Sequence, residues 1–148
     1  MIGNKNIVVF GIQPWDIKIG SNCKNIALEF AKNNKVLYVS RPLDRLRWLK
    51  SDKDDFAAYR MDVLKKRVNP LLQVEKNLWV LTPPVVTESV QWINNYSLFQ
   101  FFNKINNRKI ARCIQQYTKQ LGFDEFILFN DSAMFQGAYL KEMLQPEM

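Results

Sequence analysis

The sequence predicts an α/β protein, a layered α/β/α domain around a mostly parallel sheet, and three observations predict it. Apolar runs of strand length, such as Ile7-Val8-Val9-Phe10 and Phe126-Ile127-Leu128-Phe129, alternate with helix-period segments. The strand runs are continuously apolar rather than alternating, as expected where helices cover both faces of a sheet. The first two runs and the helix between them fit within about thirty residues, the span of a right-handed βαβ unit.

Each element follows from local chemistry. Ser21 or Asn22 can cap a first helix whose Cys23, Ile26, Ala27, Phe30 and Ala31 share one stripe. Asn33-Asn34 is expected to stop it, because Asn tolerates the left-handed conformation. Val36-Leu37-Tyr38-Val39 is the second strand. The basic segment from Arg41 to Lys50, with Leu43, Leu46, Trp48 and Leu49 interleaved, is expected to be an exposed excursion. A helix over residues 56–68 should end before Asn69-Pro70, since the residue preceding proline disfavours helix. Residues 71–74 and 78–81, split by Glu75-Lys76-Asn77, form a hairpin whose second arm enters the sheet. A linker with Glu88 and Trp92 leads to a long helix over residues 97–121, with Leu98, Phe102, Ile105, Ile110, Ile114, Tyr117 and Leu121 on its buried stripe and Gly122 as its stop. A last strand at 126–129 and a helix from Ala133 to about Leu144 complete the chain.

The 148 residues fit a single domain, 1–148, with a real core. Lys and Arg outnumber Asp and Glu by 21 to 14, a net charge of +7 that attracts phosphates and anionic lipid or simply keeps the protein soluble. Nucleic acid is not expected as a partner, because no recognition motif is present. No apolar run approaches a membrane span and no secretory h-region opens the chain, so a cytoplasmic protein is expected. Cys23 and Cys113 stand far apart in apparent helices and read as buried, reduced thiols. Histidine is absent, which removes Ser-His-Asp and Cys-His chemistry and any zinc site from this chain, so no metal is expected.

The loop after the first strand is the leading site. Connections from strand to helix usually take about two to six residues. Here Gly11-Ile12-Gln13-Pro14-Trp15-Asp16-Ile17-Lys18-Ile19-Gly20-Ser21 spans about eleven. Ligands bind where strand order reverses in open sheets, and such loops lie there. The candidate binding residues are Gly11, Gln13, Trp15, Asp16, Gly20, Ser21 and Asn22, joined by Asn130 and Asp131 if the last strand neighbours the first. Asp16 and Asp131 are the candidate catalytic groups, able to hold hydroxyls or act as a base if a local environment raises the pKa. The structural alternatives are that Trp15 packs over the sheet end and that Ser21, Asp131 or Ser132 only caps a helix. Neither Gly11 nor Gly20 belongs to a dinucleotide fingerprint or a P-loop. The segments 41–50 and 92–102 carry enough aromatic and apolar groups for a membrane interface, although core packing is the expectation for the second.

These blocks, namely Gly11-Ile12-Gln13-Pro14-Trp15-Asp16, Ile19-Gly20-Ser21-Asn22-Cys23-Lys24-Asn25-Ile26-Ala27, Val36-Leu37-Tyr38-Val39 with Pro42-Leu43-Asp44-Arg45, and Phe126-Ile127-Leu128-Phe129-Asn130-Asp131, give the chain a family likeness. It resembles the N-terminal part of bacterial group-one glycosyltransferases of the GT-B fold. The resemblance implies a Rossmann-like three-layer domain, the first half of a GT-B architecture, truncated one or more strands short. It implies the acceptor side of an enzyme moving sugar from a nucleotide-sugar donor to a saccharide or glycolipid acceptor in cell-surface polysaccharide assembly. Trp15 would stack on a sugar ring. The donor would bind a C-terminal domain outside this chain, so no cofactor is expected here and the chain alone should be inactive. A peripheral contact with anionic membrane at its inner face accompanies that reading. The rival is a non-enzymatic flavodoxin-like or receiver-like interaction module.

Overall fold

Apolar strand runs set the architecture, and a computed structural model describes it for residues 3–16, 21–50, 55–131 and 135–148. The chain runs β1 (Asn6–Gly11), α1 (Asn22–Ala31), β2 (Lys35–Val39), β3 (Leu43–Asp44), α2 (Arg45–Leu49) and α3 (Asp55–Leu64). It continues through β4 (Leu71–Glu75), β5 (Leu78–Leu81), β6 (Val86–Thr87), a 3-10 turn (Val90–Trp92), α4 (Tyr96–Gln120), β7 (Ile127–Asp131) and α5 (Leu140–Leu144).

The main sheet has the order β4-β5-β2-β1-β7. β5, β2, β1 and β7 are mutually parallel, and β4 returns antiparallel along the β5 edge as the expected hairpin. The third parallel strand thus lies beside the second, and the fourth crosses back to the far side of the first. That order is compatible with a Rossmann-like α/β fold. A two-stranded parallel pair, β3 with β6, stands apart from the main sheet.

Alternate residues of β1 feed two cores. Val8 and Phe10 join Leu37, Val39 and Leu81 under Ile110, Ile114 and Tyr117 of α4 and Leu140 and Leu144 of α5. Ile7 and Val9 join Val36, Tyr38 and Val80 against Cys23 and Ala27 of α1. With strand side chains alternating between faces, a helix layer on each side explains why these runs are apolar throughout. Both cysteines are buried free thiols, as expected.

Several boundaries differ from the sequence reading. α3 ends at Leu64, four residues early, because Lys66 takes a left-handed φ of 57° and Arg67 N–H closes a 2.8 Å bond to the Asp62 carbonyl. This is a Schellman-type stop, so Pro70 has nothing left to terminate. α1 ends without a left-handed asparagine. The Asn34 side chain donates to the Phe30 carbonyl at 3.0 Å and accepts from the Lys5 N–H at 3.1 Å. The final helix is short, with residues 135–139 in turns. Asn107 binds that backbone at Phe135 and Tyr139, and Asn130 binds it at Gly137, in competition with helical bonding. The aromatic stretch over 92–102 is not core: Trp92, Tyr96, Leu98 and Phe101 are all exposed, so Leu98 leaves the predicted stripe. The segment from Arg45 to Lys50 is exposed as expected, although Pro42, Leu43 and Asp44 before it are buried.

Candidate functional site at the sheet's switch point

β1 and β7 are neighbours, with Phe10 paired to Asn130 and Gly11 to Asp131. The loop after β1 and the end of β7 therefore open on one edge, at the place where strand order reverses. The Ile12 N–H donates to the Asp131 carbonyl at 3.0 Å and carries the pairing one residue past the strand. Among the described residues, Ile12, Gln13, Ser21, Asn22, Cys23 and Asp131 line an open cleft of about 340 Å³ there.

Tyr38 organises the cleft from below. Its ring is fully buried, and its hydroxyl donates to the Gln13 carbonyl at 2.7 Å. Cys23 lines the cleft with Asp131 and packs in the same core cluster as Tyr38. Burial, helped by the Asp131 charge, pushes the Cys23 thiol up to about 12. Tyr38 is raised as well, first by burial and then by Cys23. Both groups are therefore neutral at physiological pH, and Cys23 is a poor nucleophile. The carboxylate of Asp131 is the charged group at the cleft wall. Gln13 adds an acceptor that is unusual in a folded protein: its Oε1 is buried with no hydrogen-bond partner. Such an orphan costs about 1–3 kcal/mol unless something donates to it.

The predicted residues separate into those the fold brings together and those it uses elsewhere. Gln13, Ser21, Asn22 and Asp131 meet in the cleft. Ser21 also caps α1, its Oγ accepting from the Lys24 N–H at 3.1 Å. Gly11 is a packing residue, since a Cβ there would lie 2.2 Å from the Tyr38 hydroxyl. Trp15 lies outside the lining: its ring packs edge-on to Tyr38 at 5.0 Å, and the Lys24 ammonium sits 4.8 Å over its ring. A sugar ring would have to displace Lys24 to stack on that face. Asp16 is not among the lining residues, and its carboxylate lies 3.7 Å from the Arg60 guanidinium of α3. Asn130 is outside the cleft and ties β7 to the Gly137 carbonyl at 3.1 Å. Gly20 lies outside the described residues, as does Ser132.

A second polar constellation was missed by the sequence reading. Arg41, Asp44, Glu88, Ser89, Asn103 and Asn106 surround a cavity of about 20 Å³, the size of roughly one water. Asn106 exchanges two hydrogen bonds with the Glu88 backbone, at 2.7 and 2.9 Å. Glu88 accepts from both Arg45 Nε and Nη2 at 2.7 Å, and the Arg45 guanidinium with Lys109 holds its carboxyl below the usual range. This network locks β3, β6 and α4 together. Its signal was present as Asn103, Asn106 and Asn107, which recur at i, i+3 and i+4 on one helical face. Among the described residues no cluster of three or more Cys, Asp or Glu could hold a metal. No helix there is long and apolar enough to cross a membrane. No family model, curated protein or solved structure matches the chain.

Proposed function

We propose that this chain is the acceptor-side half of a sugar-transferring enzyme, binding a saccharide or glycolipid acceptor in the cleft between β1 and β7. A nucleotide sugar would be held by a second α/β domain of the same protein. One observation carries the reading: Gln13, Ser21, Asn22 and Asp131 line one open cleft at the reversal of strand order, a polar wall suited to a hydroxyl-bearing ligand. The sequence resemblance supports it. Asp131 orients the acceptor hydroxyl and is the better placed of the two candidate bases, since Asp16 is paired with Arg60. The reading includes work at the inner face of the plasma membrane, where a glycolipid acceptor would reside.

The strand order also weighs against the flavodoxin-like or receiver-like alternative. In that order the third parallel strand lies beside the first, whereas here β5 lies beside β2.

The test is ligand-observed NMR of this chain with neutral mono- and disaccharides and with nucleotide-activated hexoses, alongside a transfer assay. Saccharide binding that is lost in Gln13→Met and Asp131→Asn, with no transfer by the chain alone, is the expected result. Absence of saccharide binding, or sugar transfer by the isolated chain, overturns the reading.

A further inference from the structure

Several exposed apolar side chains of this protein are gathered on one face. Leu46 and Leu49 of α2 meet Trp92, Ile93 and Phe102 around an open apolar groove of about 470 Å³. Leu49 is 69% exposed, Trp92 72% and Phe101 60%. Leu98, Phe101, Phe102 and Ile105 continue the same stripe along the first turns of α4, at i, i+3, i+4 and i+7. Contiguous apolar surface on this scale marks an interaction site in a folded protein.

The two segments, some forty residues apart, are held as one face by directed polar ties. The Ser89 hydroxyl donates to Asp44 at 2.8 Å and accepts from the Leu46 N–H at 3.0 Å. Arg45 forks onto Glu88, whose backbone is fixed in turn by Asn106 of α4. The groove is therefore preformed, and occupying it costs little ordering.

Charge decides what it faces. Arg45 lines the groove, and Arg47, Lys50, Lys104, Arg108 and Lys109 belong to the same two segments, all but Lys109 exposed. Among the described residues, the acids beside the groove, Asp44 and Glu88, are already engaged by Arg41 and Arg47 and by Arg45 and Lys109. Apolar and aromatic tips on segments with excess cations match an anionic bilayer, with side chains at the acyl boundary and cations at the phosphates. We propose that the α2 and α4 face docks on a membrane carrying anionic lipid, with Leu49, Trp92 and Phe101 entering the headgroup region. The contact is interfacial. It stands on this face alone and survives the loss of the sugar-transfer reading.

Sedimentation of the full chain with vesicles of phosphatidylcholine, or of equal parts phosphatidylcholine and phosphatidylglycerol, tests it. Binding is expected only with the anionic vesicles and should weaken as salt rises from about 0.1 to about 0.5 M. A Leu49→Ala, Trp92→Ala double variant should bind at least about tenfold more weakly. A Lys104→Gln, Arg108→Gln double variant should lose about fivefold for each cation removed. All four side chains are exposed, so circular dichroism should show the wild-type fold. Equal binding to neutral vesicles, or unchanged binding by both variants, overturns the proposal. A solution dimer that Leu49→Ala, Trp92→Ala converts to monomer overturns it too, by assigning the face to a second copy. Failure on vesicles with saccharide binding intact separates this proposal from the cleft reading.

Discussion

Gly11 and Tyr38 are a fitted pair: a Cβ on Gly11 would lie 2.2 Å from the Tyr38 hydroxyl and 2.5 Å from its ring carbon Cζ. Tyr38 in turn donates to the Gln13 carbonyl, so the glycine that ends β1 decides where the loop beyond it begins. The family-like Gly11 thus acts through packing, with no positive φ to require it.

Gly11→Ala should therefore be destabilising despite its small size. The ring is fully buried and cannot swing away, and overpacking of this kind costs about 1–3 kcal/mol. Urea unfolding measures it, and a midpoint equal to wild type would show that Tyr38 has room to move.

Gln13→Met should separate stability from binding. The change removes a buried acceptor that nothing satisfies, so stability of the free protein should hold or rise by up to about 2 kcal/mol. Saccharide affinity should fall at the same time. A loss of stability in thermal melts would mean that Oε1 already has a partner.

Alkaline pH should weaken the fold. Cys23 and Cys113 are each raised from 9.0 to about 12, chiefly by burial. Between those values the unfolded chain has released protons that the native state retains, so stability is full below pH 9 and falls as pH rises toward 12. Urea midpoints across that range check the direction. Replacing Cys113 by Ala should flatten the decline, and an unchanged slope would assign it to other groups.

Asn107→Ala should loosen the C-terminal segment. Asn107 is fully buried and bonds the backbone of Asn103, Phe135 and Tyr139, so its loss leaves several buried groups unpaired. A cost of about 2–4 kcal/mol is expected, with faster amide exchange in α5. Exchange confined to the ends of α4 would contradict the coupling.

Acid should act on the tie beneath the exposed apolar face. Arg45 holds Glu88 below the usual carboxylate range, so the unfolded chain takes up protons there before the native state does. The stabilisation is present above pH 4.5 and is lost as pH falls through the lowered value. Glu88→Gln should shift the acid-unfolding midpoint less steeply with salt, as circular dichroism can follow.

Where sequence reading succeeded, the signal was local. The strand runs 7–10, 36–39 and 78–81 were recovered, since continuous apolar stretches have few other stable fates in a folded chain. The run at 126–129 was recovered with shifted bounds, as the edge strand β7 takes in Asn130 and Asp131 and is only half-buried at its apolar residues. The long helix was recovered to within one residue at each end. Errors fell where a distant side chain or an unusual backbone angle intervened. Lys66 ended α3 from a left-handed conformation that lysine seldom signals. Asn107 held residues 135–139 out of a helix from across the fold.

The same division holds for the site. Gln13, Asn22 and Asp131 were legible as polar residues in post-strand loops, but Trp15 and Asp16 share that loop and face other partners. Which polar residue enters a cleft depends on neighbours the local sequence does not name, here Lys24 for Trp15 and Arg60 for Asp16.

By itself, then, the sequence determined the alternation of buried strands with helices, the reduced thiols and the basic surface, because hydrophobic periodicity, burial and net charge belong to short segments or to composition. Only the tertiary structure decided that β7 lies beside β1, that Cys23 and Asp131 line one cleft, and that the stretches around Leu49 and Trp92 share one face. Those are relations between residues far apart along the chain, and they are set by strand order and by the long-range hydrogen bonds that fix it.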